Sequence, residues 1–353
     1  MISEFIQCTD QRWTDLLSRC PHDFYHLPGY LEMSAKYEQG EPFAFYGQVE
    51  GVELLIPLLK RPIPNNLYST SHSLYDVISP YGYPSPLLRL VPQKESIVLI
   101  NQLLRTFIDM CRVDHIVSAF IRLHPILEIP LLSFEEYGVV FLQGTTIAVD
   151  LQLPIDELQI RKDHRQDIQS LRKNSYTIRY NQWDVDYPQF IQLYYDTMAR
   201  ISASSYYFFP VDYFYKLKEV LGDQLEVAVA INENGEVMGG SLFTLCGDIV
   251  QYHLSGTATS HFKVPSIKLV LYETILRAKQ NGYKILHLGG GLGGRKDSLY
   301  SFKSGFSKWE LDFYTYRVIT DPLQYAYLCD AHSQLNQTNS SDDSFFPKYR
   351  QPI

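Results

Sequence analysis

Two stretches of the chain share one pattern of apolar and polar positions. Residues 41–60, EPFAFYGQVEGVELLIPLLK, read as strand, turn, strand. Residues 225–245, LEVAVAINENGEVMGGSLFTL, read the same way, with Asn234-Gly235 as a hairpin turn signal. Each pair is followed by a stretch with apolar residues at helical period. These are SIVLINQLLRTFIDMCR at 96–112 and SIKLVLYETILRAKQNG at 266–282. Each helix leads into a strand, HIVSAFIRL and YKILHLGG. The order strand, strand, helix, strand thus occurs twice, which we read as a duplicated α/β unit. Between the copies lies PIDELQIRKDHRQDIQSLRKNSYTIRY, polar, helical in pattern and locally basic. Arg161, Arg165 and Arg172 can share a face of that helix, either as a phosphate-facing stripe or as a solvated surface.

Length and composition narrow this reading. A chain of 353 residues is long enough for about two domains. With 45% apolar and 20% charged residues, a large core needs no disulfides. A net charge of -8 argues against a broad nucleic-acid surface and against DNA as a partner. Cys8, Cys20, Cys111, Cys246 and Cys329 are odd in number and scattered without metal-ligand spacing. Reduced thiols in a cytoplasm fit them, and no metal site is expected. The start, MISEFIQCTDQRWTDLL, has no signal pattern, and no apolar run approaches the roughly 20 residues of a membrane span. The expectation is a cytoplasmic protein with at most peripheral membrane contact.

The stretch LHLGGGLGGRKDSLYSFKSGFS, residues 286–307, carries the candidate chemistry. Gly289, Gly291 and Gly294 spell G-x-G-x-x-G, but a dinucleotide site needs a long helix and a returning parallel strand. Only about two turns, DSLYSFKS, follow, against the dozen or more residues a crossover needs. The glycines therefore fit a close passage of backbone better than a nicotinamide cradle. Asp297 or Ser298 is a natural N-cap, and Gly305 a natural stop. Between them Leu299, Phe302, Lys303 and Phe306 fall on one face that should pack on the core. An unpaired buried ammonium costs several kcal/mol. Lys303 must snorkel out, pair with a carboxylate, or project where anionic charge arises.

These residues resemble the FemAB-like branch of the GNAT-fold acyltransferases. The likeness runs through HRQDIQSLRKNSYTIRY, LYYDTMARISASSYYFF, YHLSGT and LHLGGGLGGRKDSLYSFKSGF, with DFYHLPGYLEMSAKY, YDVISPYGYPSPL and IRLHP in the first half. The resemblance implies an α/β fold of two tandem GNAT-like domains, each a mixed, mostly antiparallel sheet flanked by helices, with an interdomain cleft. On that reading residues 1–152 are the first domain, 153–331 the second with the Phe-Lys element, and 332–353 a polar, mobile tail. It also implies transfer of an acyl or aminoacyl group from an activated ester or thioester to an amine of a cell-envelope precursor or amino sugar. The donor would be acyl-CoA or an aminoacyl-tRNA, with no tightly bound cofactor. The acceptor would be a small molecule or be lipid- or nucleotide-linked.

The family's catalytic lysine falls on Lys303, with Phe302 beside it, and its phosphate-meeting arginine on Arg200. An amine attacking a carbonyl makes an oxyanion, and a cation placed there is worth about 3–4 kcal/mol. With an ordinary pKa near 10.4, Lys303 would be charged and could serve. Asp297 is a candidate base or a helix cap, and His253 and His287 are candidate bases or structural residues. Tyr81 and Tyr83 in SPYGYPSP line an acceptor cleft or only pack around a type I turn. Arg122 meets phosphate or an acidic neighbour. Tyr252, His253, Gly289, Gly290 and Gly291 complete the candidate binding residues. Where ordinary GNAT enzymes place a glycine-rich pyrophosphate loop, this chain has SHFKVPSIK. A tandem GNAT scaffold that binds a nucleotide-linked sugar or a partner protein without turnover is the alternative.

Overall fold

The computed structural model describes residues 1–70, 72–90, 96–336 and 345–352. The chain folds into two compact units, one of residues 1–143 with 313–353 and the other of residues 144–312.

The first unit contains β1 (Ile2–Ile6), α1 (Gln11–Leu17), α2 (Pro28–Glu38), β2 (Glu41–Val49), β3 (Val52–Pro62), β4 (Tyr75–Ile78), β5 (Leu87–Arg89), α3 (Ser96–Val113), β6 (Ile116–Arg122) and α4 (Leu131–Glu135). β1 to β4 pair antiparallel in order, β5 adds to β3, and β6 lies parallel to β4. The parallel step is the one that needs a crossover, and α3 supplies it. Leu99, Ile100, Leu103, Leu104, Phe107 and Cys111 of α3 are buried, the 3.6-residue stripe expected from the sequence. They pack with the inner face of β2 and β3 in a core that includes Phe45, Leu54, Ile56 and Tyr316.

The second unit repeats this plan. After β7 (Val139–Asp150) come α5 (Lys162–Lys173), β8 (Thr177–Tyr180), α6 (Trp183–Arg200), α7 (Val211–Leu221), β9 (Leu225–Ile231), β10 (Val237–Cys246), β11 (Ile249–Thr257), α8 (Ser266–Gln280), β12 (Ile285–Gly290) and α9 (Ser298–Lys303). β8 to β11 pair antiparallel in order, and β12 lies parallel to β11 across the α8 crossover. The duplication therefore extends two strands beyond the sequence pattern. β1 and β8 pair with the first strand of each hairpin, and β4 and β11 precede the crossover helices.

The two units end differently from the expected 1–152, 153–331 and 332–353. In each, the strand after the crossover takes an antiparallel neighbour. β12 takes it from residues 146–150 of β7, and β6 from residues 315–319 of β13 (Trp309–Ile319). The strand that pairs with β6 thus comes from late in the chain, which moves the divisions to 143 and 312. The expected tail is also only partly a tail. Residues 322–336 form α10 (Pro322–Asn336), and Tyr349 is buried with its hydroxyl 2.7 Å from Ser118. Residues 337–344 and 353 of that expectation lie outside the described residues.

The strand after β12 in the chain is β13, which is antiparallel to β6. Gly289–Gly294 therefore do not open a parallel βαβ unit, and the topology removes the dinucleotide reading. No described helix is long and apolar enough to cross a membrane.

Candidate active site around Lys303

Asp297 caps α9 with extended backbone, and its carboxylate accepts the N–H of Tyr300 at 2.9 Å. Its other oxygen accepts the N–H of Leu292, also at 2.9 Å. Burial opposes ionisation, but the backbone N–H groups of Tyr300, Leu292 and Leu299 hold its carboxyl below the usual range. A Cβ at Gly291 would stand 2.1 Å from Arg295 O and 2.4 Å from Asp297 Oδ1. Gly289, at φ 73°, takes a left-handed turn that other residues resist. The carboxylate that Gly291 makes room for is the protein's own, that of Asp297.

α9 buries a slightly different face from the one expected. Tyr300, Lys303 and Phe306 are inside, Phe302 is half-buried, and Leu299 is exposed. The helix is a turn and a half long and stops at Lys303, so its 3.6-residue pattern is not sustained to Phe306. Gly305 is required by packing: a Cβ there would lie 2.4 Å from His164 Nε2.

Lys303 is 7% exposed. Its Nζ donates to Gly290 O at 2.7 Å and stands 5.8 Å from the centre of the Tyr252 ring. Among the described residues it has no ion pair, although the charge of Asp297 acts on it. Of the three fates open in the sequence, snorkelling and carboxylate pairing are both absent. Burial pushes its pKa down to about 7, against the partial restoring effect of Asp297. The expectation of a lysine charged at its ordinary pKa is corrected: near neutrality the group is poised between its two forms. A negative charge brought to Nζ would draw the proton back and hold it.

Tyr252 sits on β11 with its hydroxyl donating to Ser255 Oγ at 2.6 Å, and burial pushes its pKa up to about 12. It stays a neutral phenol whose ring faces the ammonium. His253, the next residue, is a bulge: Leu242 pairs with Leu254 and Phe243 with Tyr252, leaving His253 between them. Bulges re-aim side chains and occur beside active sites. His253 Nε2 lies 3.2 Å from Tyr213 Oη. His287 is buried, with Nδ1 2.7 Å from Gln251 Oε1. Arg200, at the end of α6, donates to Thr257 Oγ1 at 2.6 Å and to Thr257 O at 3.3 Å, and pairs with no carboxylate among the described residues.

Three sequence candidates lie in the first unit. Tyr81 N–H donates to Glu38 Oε1 at 2.7 Å, and Tyr30 Oη donates to Tyr81 O at 3.1 Å. Burial raises the pKa of Glu38, with Arg122 pulling it back. Gly82 sits at φ +101° with Tyr25 Cε1 2.0 Å from a would-be Cβ. Both the backbone and the packing therefore require glycine at this position. Tyr83 meets the rings of Tyr25, His124 and Phe313. Arg122 donates to Ser79 O at 2.8 Å and Pro80 O at 3.3 Å and lies over Phe120. It has no ion pair among the described residues, so the acidic-neighbour alternative reduces to the longer-range influence of Glu38.

The arginines at α5 lie at the surface. Arg172 pairs with Glu273, Arg161 with Asp163, and Arg165 is exposed. What the sequence reading missed is how α5 holds α9. His164 is buried, its Nε2 donating to Phe302 O at 3.0 Å and its ring packed on Phe302 and Phe306. Burial lowers its pKa, as a neutral donor requires. Arg161 N–H donates to Gly305 O at 2.7 Å, and its guanidinium to Ser301 O at 3.1 Å. The signal was legible: His164, Ile168 and Leu171 are the buried stripe of α5, and a polar residue among apolar ones is the anomaly that singled out Lys303. His164→Ala should cost about 1–3 kcal/mol of stability. It should also lower turnover about tenfold by loosening the lysine's support. Thermal melts and rates check this, and His164→Gln, which keeps a donor, should restore most of the loss.

Residues 159–303 match the family model described as "Acetyltransferase (GNAT) domain". No curated protein matches the chain in sequence. Among solved structures, FemX aligns at a TM-score of 0.68 and 14% identity over 96% of this chain and 100% of its own. L-PGS from Bacillus licheniformis aligns at 0.56 and 13% over 92% and 97%. A DUF2156 C-terminal domain from Agrobacterium fabrum aligns at 0.54 and 14% over 92% and 95%. At these identities the likeness is one of fold, and it extends over both units.

Proposed function

We propose, from the premise that this chain is a FemAB-like acyltransferase of the GNAT fold, that it moves an aminoacyl group from aminoacyl-tRNA to an amine of a cell-envelope precursor. The observation that carries the reading is Lys303, a buried amine with no ion pair among the described residues, anchored to Gly290 O at the end of β12. Attack of the acceptor amine on the ester carbonyl forms the new C–N bond and turns the carbonyl oxygen into an oxyanion. Lys303 supplies the positive charge there. Collapse breaks the ester C–O bond, and the tRNA leaves through its ribose hydroxyl, which takes up the proton lost by the amine.

The choice of donor rests on α8. In a coenzyme A site the first N–H groups of that helix would face pyrophosphate. Here Ser266 N–H is spent on Val264 O at 2.8 Å and Lys268 N–H on Pro265 O at 3.0 Å. There is no glycine between Ala258 and Pro265 to bring backbone close to an anion. Arg200, lacking a carboxylate partner, is the proposed contact for acceptor phosphate. The cytoplasm is the proposed compartment.

The test is mass spectrometry of the full chain incubated with charged tRNA or acetyl-CoA and with nucleotide-linked or lipid-linked wall precursors. A mass increase on the acceptor equal to one aminoacyl residue supports the proposal. Acetyl transfer alone would reassign the donor. Saturable acceptor binding without transfer from either donor would favour the non-catalytic binding module.

A further inference from the structure

Among the described residues Arg317 is a guanidinium without an anionic partner. It lies on β13 in the first unit and is 7% exposed. Its Nε donates to Thr315 Oγ1 and its Nη2 to Gln143 Oε1, both at 3.3 Å and both neutral. The group stacks on Phe141 with its central carbon 3.8 Å from the ring centre. Guanidinium has five N–H donors, so three have no protein acceptor among the described residues. Burying a charge that stays ionised and leaving it unpaired is among the costliest arrangements a fold can hold. A cation–π contact and two long neutral hydrogen bonds offset only part of that cost.

A second arginine shares the sheet face. Thr315 pairs with Arg122 and Arg317 with Phe120 across β13 and β6, so Arg122 and Arg317 are diagonal neighbours. Side chains on such diagonals lie about 7–8 Å apart at their bases, within reach of one bridging ligand for two long side chains. Phe120 is flanked by Arg122, 5.2 Å from its ring centre, and by Phe346, stacked at 6.4 Å. The face thus holds two forked cations that have no carboxylate ion pair among the described residues, framed by aromatic rings, and a planar fork matches phosphate oxygens bidentately.

We infer that Arg317, with Arg122, forms a binding site for a phosphate or diphosphate group. The inference goes beyond the proposed function, which gives acceptor phosphate to Arg200; this second anion site stands on geometry alone. The shared chemistry is a diphosphate, carried by a nucleotide-linked or a prenyl-linked molecule.

The experiment uses the full chain and measures binding by calorimetry, without turnover. Inorganic pyrophosphate should bind the wild type, and Arg317→Met should weaken that binding at least about tenfold, the value of one charge-assisted contact. Arg317→Lys keeps the charge but loses the fork. It should retain a folded melt and bind more weakly than wild type. Titration with UDP-N-acetylglucosamine and with farnesyl diphosphate then distinguishes the source, since the linked group that belongs here binds more tightly than pyrophosphate and loses affinity in both variants. Pyrophosphate binding that is absent in the wild type, or equal in wild type and Arg317→Lys, would overturn the inference. If transfer to every acceptor fails while Arg317-dependent binding remains, the proposed function falls and this site stands. If transfer occurs with full efficiency in Arg317→Lys and pyrophosphate does not bind, the reverse holds.

Discussion

Lys303→Met should lose about two to three decades of aminoacyl transfer while its thermal stability rises. The rate follows from removing the cation opposite a developing oxyanion, worth about 3–4 kcal/mol. The stability follows from the same burial. Methionine fills the stem's volume and removes an ammonium that the fold holds 7% exposed with no ion pair among the described residues. Replacing such a group by a hydrophobe of similar size is stabilising by roughly 1–4 kcal/mol in comparable buried sites. The gain also depends on pH in a determined direction. The folded pKa is about 7, below the ordinary 10.5. Between those values the unfolded chain binds more protons than the folded one, so wild-type stability rises with pH across that window. The advantage of Lys303→Met in melting temperature should therefore be largest below pH 7 and shrink above it. Calorimetric melts of both proteins from pH 6 to pH 10, beside initial rates at pH 7, check both halves. A variant that melts lower and turns over fully would remove the lysine from the mechanism.

The second large effect is expected at Asp23, in the first unit. Its carboxylate meets His124 Nε2 at 3.0 Å with both side chains fully buried, and it accepts Phe24 N–H at 2.7 Å. His124 packs on Tyr83, and His26 Nε2 donates to Ser85 O at 3.0 Å, so this cluster carries the 79–85 loop. Asp23→Ala leaves His124 without that partner inside the core, a loss of about 3–5 kcal/mol in buried pairs. For a unit of this size the melting temperature should fall by roughly 6–20 °C. Asp23→Asn, which keeps an acceptor, should lose less than half as much. Equal melting temperatures for Asp23→Ala and wild type would show that the pair contributes nothing.

The elements with clean periodicity were legible in the sequence. α3 carries apolar residues at every buried position, α8 at all but Ser266 and Thr274, and the hairpins β2–β3 and β9–β10 carry their own turn signals. Lys303 stood out because a cation broke an apolar face. What was hidden was non-local. β4 is four residues long and β7 and β13 find their partners far along the chain, so no local pattern announces the exchange of end strands. Arg317 was hidden for a related reason. In a strand that alternates Tyr316 and Val318 inward, an arginine reads as an outward, solvated residue, and only the packing of Phe141 and Gln143 shows it buried. The lysine's depressed pKa was hidden too, since the sequence reveals an odd residue but not the missing carboxylate. The glycine run fits a close backbone passage, with a Cβ at Gly290 only 2.7 Å from Thr145 O, while the place of Gly291 beside the capping carboxylate of Asp297 needed coordinates.

The most direct measurement is a pH titration of Lys303 itself, by NMR of protein labelled with 13C at lysine Cε, with Lys303→Met assigning the resonance. The free protein should show one lysine titrating near pH 7, far from the rest. Adding a non-hydrolysable aminoacyl-tRNA mimic that carries a tetrahedral phosphonate at the ester position should move that titration upward by at least about one unit, a tenfold preference for the charged form. A Lys303 resonance that titrates with the solvent-exposed lysines near 10.5, or one that ignores the phosphonate, would contradict the account.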